Sequence, residues 1–448
     1  MLIWLLEREN KAAQAAGVEF LRAHLSAKLA PGQDVEWRIL PASRLWAECV
    51  RLFKRDESSS IEYPDVIEYP WLWHDSLSYL GLLAAVGDAG GAAGRWQELK
   101  ANVDEANPCA SRFPNQGGLL TFSWMMGMTI LYYRKDILRR IGKTPEDLEN
   151  YEEWISCVMA APQVGAGDSG AYSWQGLDMP LGFITALQWI LNFGGEFLDP
   201  LNLMPAFHQA ESLQALEAYL NVLLYPRLAQ SQDSSAGPLA RRSLGYESSR
   251  DAEFPDGSFC LFSSQMPAAL RLKDSRVGCL LPPKLAGRAV VAEELSLGVT
   301  KRGMERGGET VLAAMEAMLG DAQAWLGAAS HLGHLPAKTS MWDLALDDVD
   351  DPFAREVYYA GAHSLRWLPS SRFLAPAMRI FEETLSRLYF EALRQGSVDR
   401  RLISAGMATA ASEYRLIAAL YDSDRSGPDG NRNVGRKAAA TPLSGSGS

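Results

Sequence analysis

The sequence has no apolar run approaching the roughly 20 residues that a membrane-spanning helix needs. It is short of positive charge: 43 Lys and Arg stand against 54 Asp and Glu, for a formal net charge of −11 over 448 residues. That balance excludes the basic footprint of a nucleic-acid binder and disfavours docking on an anionic membrane surface. Cysteine is scarce and unpatterned. Cys49, Cys109, Cys157, Cys260 and Cys279 are odd in number and form no Cys-x-x-Cys pair, which suits free buried thiols better than a secreted disulfide framework. The start lacks the form of a secretory leader, because Leu2–Leu6 gives five apolar residues and then Glu7, Arg8, Glu9 and Asn10. It reads as a first strand, so a leader has been removed or the protein never had one. No internal repeat with a period of about 20 to 50 residues is visible.

What is present is an ordinary globular composition, 47% hydrophobic and 22% charged. The chain is too long for one core, and two lobes are expected. After the strand Leu2–Leu6 the apolar positions Ala13, Ala16, Phe20, Leu21, Leu25 and Leu29 predict a helix from Asn10 to Leu29, ended by Pro31-Gly32. Val35–Leu40 alternates as a strand, Ser43–Lys54 reads as a helix, and Tyr63–Tyr69 as a third strand. This β-α-β-α-β order predicts a parallel sheet with its ligand beyond the carboxyl ends of the strands. Trp4 falls near the end of the first strand, and Tyr69, Trp71 and Trp73 follow the third, so aromatics collect there.

An aromatic loop at Trp124 is expected next, then a strand Thr129–Tyr133 and a short helix closed by Gly142. A further helix should be capped by Thr144, with Pro145 at its first position and Asp147 three residues after the cap. Beyond it come a glycine-rich loop from Gly165 to Gly170, helices Leu181–Phe193 and Ala210–Leu228, and a polar loop from Gln230 to Arg250. Strands Gly257–Phe262 and Val277–Pro283 flank a turn into a helix, Ser263–Leu270. Glu293–Thr300 reads as an extended crossing. It is followed by helices Thr310–Leu319, Ala322–Ser330, Pro352–Tyr359, Phe373–Leu393 and Val398–Ala419. From Asp422 the tail is too polar to order itself.

Several short motifs suggest chemistry and do not support it. Gly165-Ala166-Gly167-Asp168-Ser169-Gly170 spells a dinucleotide-binding string, but it lies between no strand and helix. Its Gly-Asp-Ser-Gly has no histidine in a matching context for a serine nucleophile. Gly142-Lys143-Thr144 has Ile137 where a phosphate loop needs its first glycine. His331 and His334 have metal-ligand spacing, yet Gly333 and Pro336 mark a helix end and no carboxylate joins them. Glu293-Glu294 reads as a solvated or hinge-side pair. No catalytic residue, metal or cofactor is assigned.

The order of segments resembles that of bacterial extracellular solute-binding proteins of sugar-binding ABC transporters, the maltose-binding-protein-like class. The resemblance rests on Pro64-Asp65-Val66-Ile67-Glu68-Tyr69, Gly81-Leu82-Leu83, and Tyr132-Tyr133-Arg134-Lys135-Asp136 with Gly142, Thr144-Pro145 and Trp154 after it. Gly333-His334-Leu335-Pro336-Ala337 completes it. It covers roughly residues 1 to 420 as a series of weak motifs. It implies an α/β, two-lobed periplasmic-binding-protein-like fold (type II), each lobe a mixed or mostly parallel sheet flanked by helices around a hinge. Lobe one would comprise 1–122 and 292–342, lobe two 123–291 and 343–421, and 422–448 a disordered tail. Chain crossings are expected near 120–130, 285–300 and 340–350.

The implied function is capture of a sugar or sugar derivative in an interlobe cleft by hinge closure, and delivery to an ABC transporter permease. The alternatives are a cytoplasmic ligand sensor or accessory protein, or an enzyme, on the same fold. A monomer is expected, periplasmic or extracellular and lipid-anchored if a leader has been removed, and cytoplasmic otherwise. Sugar faces stack on aromatic rings and sugar hydroxyls need fixed polar partners. The ligand-binding candidates are therefore Trp4, Tyr69, Trp71, Trp73, Trp124, Met125, Trp174 and Trp367, with Gln175, Asp178, Glu294 and Arg366 as polar partners. A single Trp more often belongs to a core, but Trp71, Trp124 and Trp174 stand where the class puts its binding loops. One departure is clear: Ser264-Gln265-Met266-Pro267-Ala268 lacks the stacking Trp of the class. Gln265 and Met266 would face the cleft instead, leaving room for a monosaccharide, a modified sugar or a non-sugar ligand.

Overall fold

Leu2-Ile3-Trp4-Leu5-Leu6 has no polar position, which fits a strand covered on both faces. In the computed structural model it is β1 (Leu2–Leu6), buried at every residue. The structure describes residues 1–8, 11–54, 62–107, 118–165, 175–178, 181–231, 259–264, 276–287, 289–347 and 352–423. Of these, 161–165, 175–178, 225–231, 259–264, 352 and 420–423 are described by backbone alone. The segments at 166–170, 232–250, 265–270 and 424–448, which carry several of the expected loops and the tail, lie outside the described residues.

Helix α1 (Lys11–Lys28) buries Val18, Leu21 and Leu25 along one side. It leads to β2 (Glu36–Leu40), α2 (Ala42–Lys54) and β3 (Val66–Pro70). β1 pairs in parallel with β2 on one side and β3 on the other, as the alternation predicts. A 3-10 turn at Trp71–Trp73, α3 (His74–Tyr79) and α4 (Ala93–Asp104) follow. Next come β4 (Thr121–Met128), β5 (Ile130–Arg134), α5 (Lys135–Arg140) and α6 (Tyr151–Gly165).

Two expectations change here. The segment around Trp124 is not a loop: all eight residues of β4 are buried. Its Trp-Met-Met-Gly-Met run does not alternate because both faces of the sheet are covered, so the strand has no polar face to reveal it. The second change is at Thr144, where Pro145–Glu149 forms a 3-10 turn and the α-helix starts only at Tyr151. The cap itself forms, with the Thr144 amide donating to Asp147 Oδ2 at 2.7 Å. Gly142 closes α5 as expected, at φ 71°, a left-handed geometry that glycine adopts without Cβ strain.

The chain continues through β6 (Gln175–Asp178), α7 (Phe183–Asn192), α8 (Ala210–Ser231), β7 (Phe259–Ser264), β8 (Val277–Leu280) and the long β9 (Val290–Val299). Helices α9 (Lys301–Met315) and α10 (Ala322–Leu332), β10 (Leu335–Pro336) and α11 (Trp342–Ala345) come next. The described chain ends with α12 (Pro352–His363), β11 (Leu365–Arg366), α13 (Leu374–Gln395) and α14 (Arg400–Ser423). Seven strands form one mixed sheet in the order β10-β4-β9-β3-β1-β2, with β11 beside the start of β9. Four form a second, β6-β7-β5-β8.

The chain passes between the two sheets at few places. β4 ends at Met128 in the first sheet and β5 begins at Ile130 in the second, so Thr129 alone separates them. The return runs from Leu280 in β8 to Val290 in β9. α12 packs on the second sheet through Tyr358, whose hydroxyl bonds that of Tyr132 on β5. Burial, with Tyr132 close by, pushes the Tyr358 hydroxyl well above its usual pKa, so it stays neutral there. α13 touches the turn Trp71–Trp73 and α3 on one side, and α7 and α8 on the other.

Candidate functional site

The site begins where β1 and β3 end. Glu68 interrupts an apolar strand, and a carboxylate there needs partners before it can be buried. It has them: Arg8 Nη2 lies 2.6 Å from Glu68 Oε1, the Leu6 amide donates to Oε2 at 2.9 Å, and Trp124 Nε1 donates to Oε1 at 3.0 Å. The Glu68 side chain is 0% exposed and that of Arg8 9%. Trp124 reaches Glu68 because β4 bulges between Ser123 and Met125, and a bulge re-aims the side chain it carries. Its backbone carbonyl receives the indole N–H of Trp325 from α10.

The pleat sorts the other candidates. Paired residues of neighbouring strands share a face, so Trp4, Ile67 and Tyr69 lie on one side of the sheet, with Ser296 opposite Tyr69. Trp4 is 0% exposed, mid-strand rather than at the strand end, and its indole N–H finds no acceptor among the described residues. The Tyr69 hydroxyl bonds His74 Nδ1 at 2.9 Å. Glu294, also fully buried, accepts from the hydroxyls of Ser123 and Ser296. Met125 sits opposite Leu295 and is buried. Trp4, Tyr69, Met125 and Trp124 are thus built into the sheet and its covering layers. Trp73 is likewise buried, its ring 5.1 Å from that of Trp46.

Trp71 is buried too, but it packs against a ring that is not. Trp71 donates its indole N–H to the Ala292 carbonyl at 3.1 Å. Its ring meets that of Trp367 edge-on, with centroids 5.3 Å apart. Trp367 is only half-buried and follows Arg366, which is exposed. Around this pair two elements distant in sequence are tied together. Ser370 Oγ donates to Asp75 Oδ2 at 2.6 Å, and Ser76 Oγ donates to the Arg372 carbonyl at 2.7 Å. Gln175 and Asp178 bound the edge strand β6, described by backbone alone, while Trp174, Gln265 and Met266 lie outside the described residues.

Other side chains matter that motif reading missed. On α7, Gln188 bonds both the Ala289 carbonyl and the Val291 amide, the latter at 2.8 Å. Asn192 Oδ1 accepts from the Ala289 amide at 2.7 Å. Two amides on one helix face, four residues apart, thereby act as a strand partner for the segment returning to the first sheet. Arg8 and Glu68 carried a readable signal, a carboxylate inside an apolar strand; Gln188 and Asn192 carried none beyond their spacing. His334 bonds the Leu332 carbonyl at 2.9 Å beside the left-handed Gly333, which is a helix end. No group of three metal-ligating side chains occurs among the described residues.

No protein-family model matches the sequence, and no curated protein sequence does either. Solved structures do. The GacH receptor of Streptomyces glaucescens, determined unliganded and with acarbose and an acarbose homolog, matches with a TM-score of 0.65 at 16% identity, covering 92% of this chain and 98% of that one. Maltose-bound T. maritima MalE3 matches with a TM-score of 0.67 at 15% identity, over 93% and 99%. An ABC transporter solute-binding protein from Agrobacterium radiobacter in complex with ribitol matches with a TM-score of 0.68 at 14% identity, over 93% and 98%. At such identities the likeness is one of fold. With its two sheets, its few crossings and these neighbours, the chain has the two-lobed α/β fold of periplasmic binding proteins.

Proposed function

We propose that this protein is a solute-binding protein that captures a sugar or sugar derivative between its lobes and hands it to an ABC transporter. The observation that carries the reading is the Trp71–Trp367 pair. It joins the loop after β3 to the segment entering α13; Trp71 is buried, and Trp367 is the candidate ring that keeps aromatic surface partly open among the described residues. The open part of the Trp367 ring can stack on a sugar face, with the buried Trp71 bracing it edge-on from behind. The neighbours with maltose, acarbose and ribitol support the chemical class.

The mechanism follows from the connections. Thr129 and the segment near Val290 are short enough to serve as hinges, while Gln188 and Asn192 hold the return segment to α7. A ligand touching both lobes favours the closed arrangement by its extra contacts there, and no bond is made or broken. Export to the periplasm or cell exterior, a permease partner and a monomeric state belong to this reading. No described helix is long and apolar enough to cross a membrane.

The test is titration calorimetry, with intrinsic Trp fluorescence alongside, over a panel of monosaccharides, disaccharides and polyols. Saturable binding with a fluorescence change is expected for at least one. A flat response throughout removes the sugar assignment and leaves the fold standing.

A further inference from the structure

Beside Thr129 lies a pocket of 40 Å³ lined by Thr129, Tyr151, Trp154, Gln188, Asn192 and Pro282 among others. It is far smaller than the roughly 300–1,000 Å³ of a ligand cleft, and well above the ~10–15 Å³ that one water needs. Two of its lining residues have an orphaned polar atom. Thr129 is 3% exposed and Trp154 3% exposed, and neither Thr129 Oγ1 nor Trp154 Nε1 has a hydrogen-bond partner among the described residues. Native proteins leave few buried polar atoms unpaired. The Gln188 and Asn192 oxygens in the same wall are already committed to the return segment. Tyr151 faces the same space, with burial pushing its hydroxyl up to about 12, so it remains a neutral group at physiological pH.

We propose that this pocket is a hydration site of the hinge, in which ordered water accepts the Trp154 indole N–H and bonds the Thr129 hydroxyl. Its placement gives it a mechanical role. Thr129 is the single residue between the two sheets, and Pro282 and Asn192 belong to the return passage and to the helix that holds it. Its amide already makes a long bond, 3.3 Å, to the Val291 carbonyl. Water can re-form its bonds when the sheets turn relative to one another, where a fixed side-chain partner would have to break. The site is independent of what the protein carries.

The sign of a stability change separates a wet pocket from a dry one. Thr129→Val replaces the hydroxyl by a methyl of similar shape. If water occupies the pocket, the variant strands it and the melting temperature falls by about 1–3 °C, while Thr129→Ser stays nearer to wild type. If the hydroxyl is unsatisfied, the valine relieves its desolvation cost, and an unchanged or raised melting temperature overturns the proposal. Trp154→Phe should act in the same direction as Thr129→Val. A crystal structure of the unaltered protein decides independently of how the variants fold. Water density about 3 Å from both Thr129 Oγ1 and Trp154 Nε1 is expected. A protein atom bonded to them, or xenon entering the pocket under pressure as it does dry apolar cavities, overturns the proposal.

Discussion

Trp124 and Trp367 look alike in the sequence, yet the structure puts them to opposite uses. Trp124 is 1% exposed, donates to Glu68, and has its own carbonyl bonded by Trp325. Its indole N–H and its carbonyl are both spoken for inside one sheet and its covering helices. Trp367 is half-buried and meets Trp71 across a seam that joins α13 to the turn after β3. A ring held on all sides fixes a fold, whereas a half-buried ring keeps a face that a ligand can cover. Aromatic residue type alone does not separate the two; the hydrogen-bond partners do.

The comparison predicts its largest effect at Glu68. Glu68→Ala leaves the Arg8 guanidinium and two N–H donors buried without their acceptor, and breaking such a pair costs about 3–5 kcal/mol. Chemical denaturation should show that loss. Glu68→Gln, which keeps the acceptor oxygen, should lose less. If Glu68→Ala unfolds at the same denaturant concentration as wild type, the carboxylate is not what holds Trp124, and that ring returns to the list of binding candidates.

The next effect sits at the seam between the sheets. Gln188→Leu removes both bonds to the return segment and leaves the Ala289 carbonyl and the Val291 amide unpaired, at about 1–3 kcal/mol for each stranded group. Hydrogen exchange should report the change locally, with Val291 losing protection while the β1–β3 amides keep theirs. Loss of protection throughout the first sheet would mean that α7 supports the whole domain rather than its hinge.

How far these roles were legible follows from the same residues. The parallel β1-β2-β3 core was readable because strand and helix periods alternate cleanly from Leu2 to Tyr69. β4 was not, because a strand buried on both faces has no alternation, and Trp124 therefore read as a loop ring. Glu68 was readable in principle, since a carboxylate among Val66, Ile67 and Tyr69 must find a partner. That Arg8 and Trp124 would be those partners was not, because it depends on register and on a bulge. Trp71 and Trp367 are 296 residues apart, and only the path of α13 brings them together.

A smaller effect on stability, and a larger one on binding, is expected at Trp367. Trp367→Ala removes an edge-on ring contact worth about 0.5–1.5 kcal/mol, so the midpoint of unfolding should move little. Affinity for whichever sugar the panel identifies should fall at least about tenfold. Trp124→Ala should do the reverse, unfolding easily and, where still folded, binding normally. Equal loss of affinity in both variants would erase the distinction between fold-fixing and ligand-facing rings.

The smallest expected effect concerns how α13 is held against the second lobe, and it depends on pH. Glu382 on α13 accepts the Phe183 amide at the start of α7 at 3.3 Å, and burial holds its carboxyl above the usual range. A carboxylate whose folded pKa is raised binds its proton more readily in the folded state. The stability this contributes is full below the unfolded value of about 4.3 and is lost as pH rises through the folded value. Above the folded value the charged Glu382 is therefore a burden that Glu382→Gln removes, while the amide oxygen can still accept from Phe183. The variant should match wild type near pH 4 and exceed it modestly at pH 7 in denaturation midpoints. The opposite order, with wild type gaining on the variant as pH rises, would show that the ionised carboxylate is favoured at this contact, and that the seam carrying Trp367 is held by charge rather than by burial.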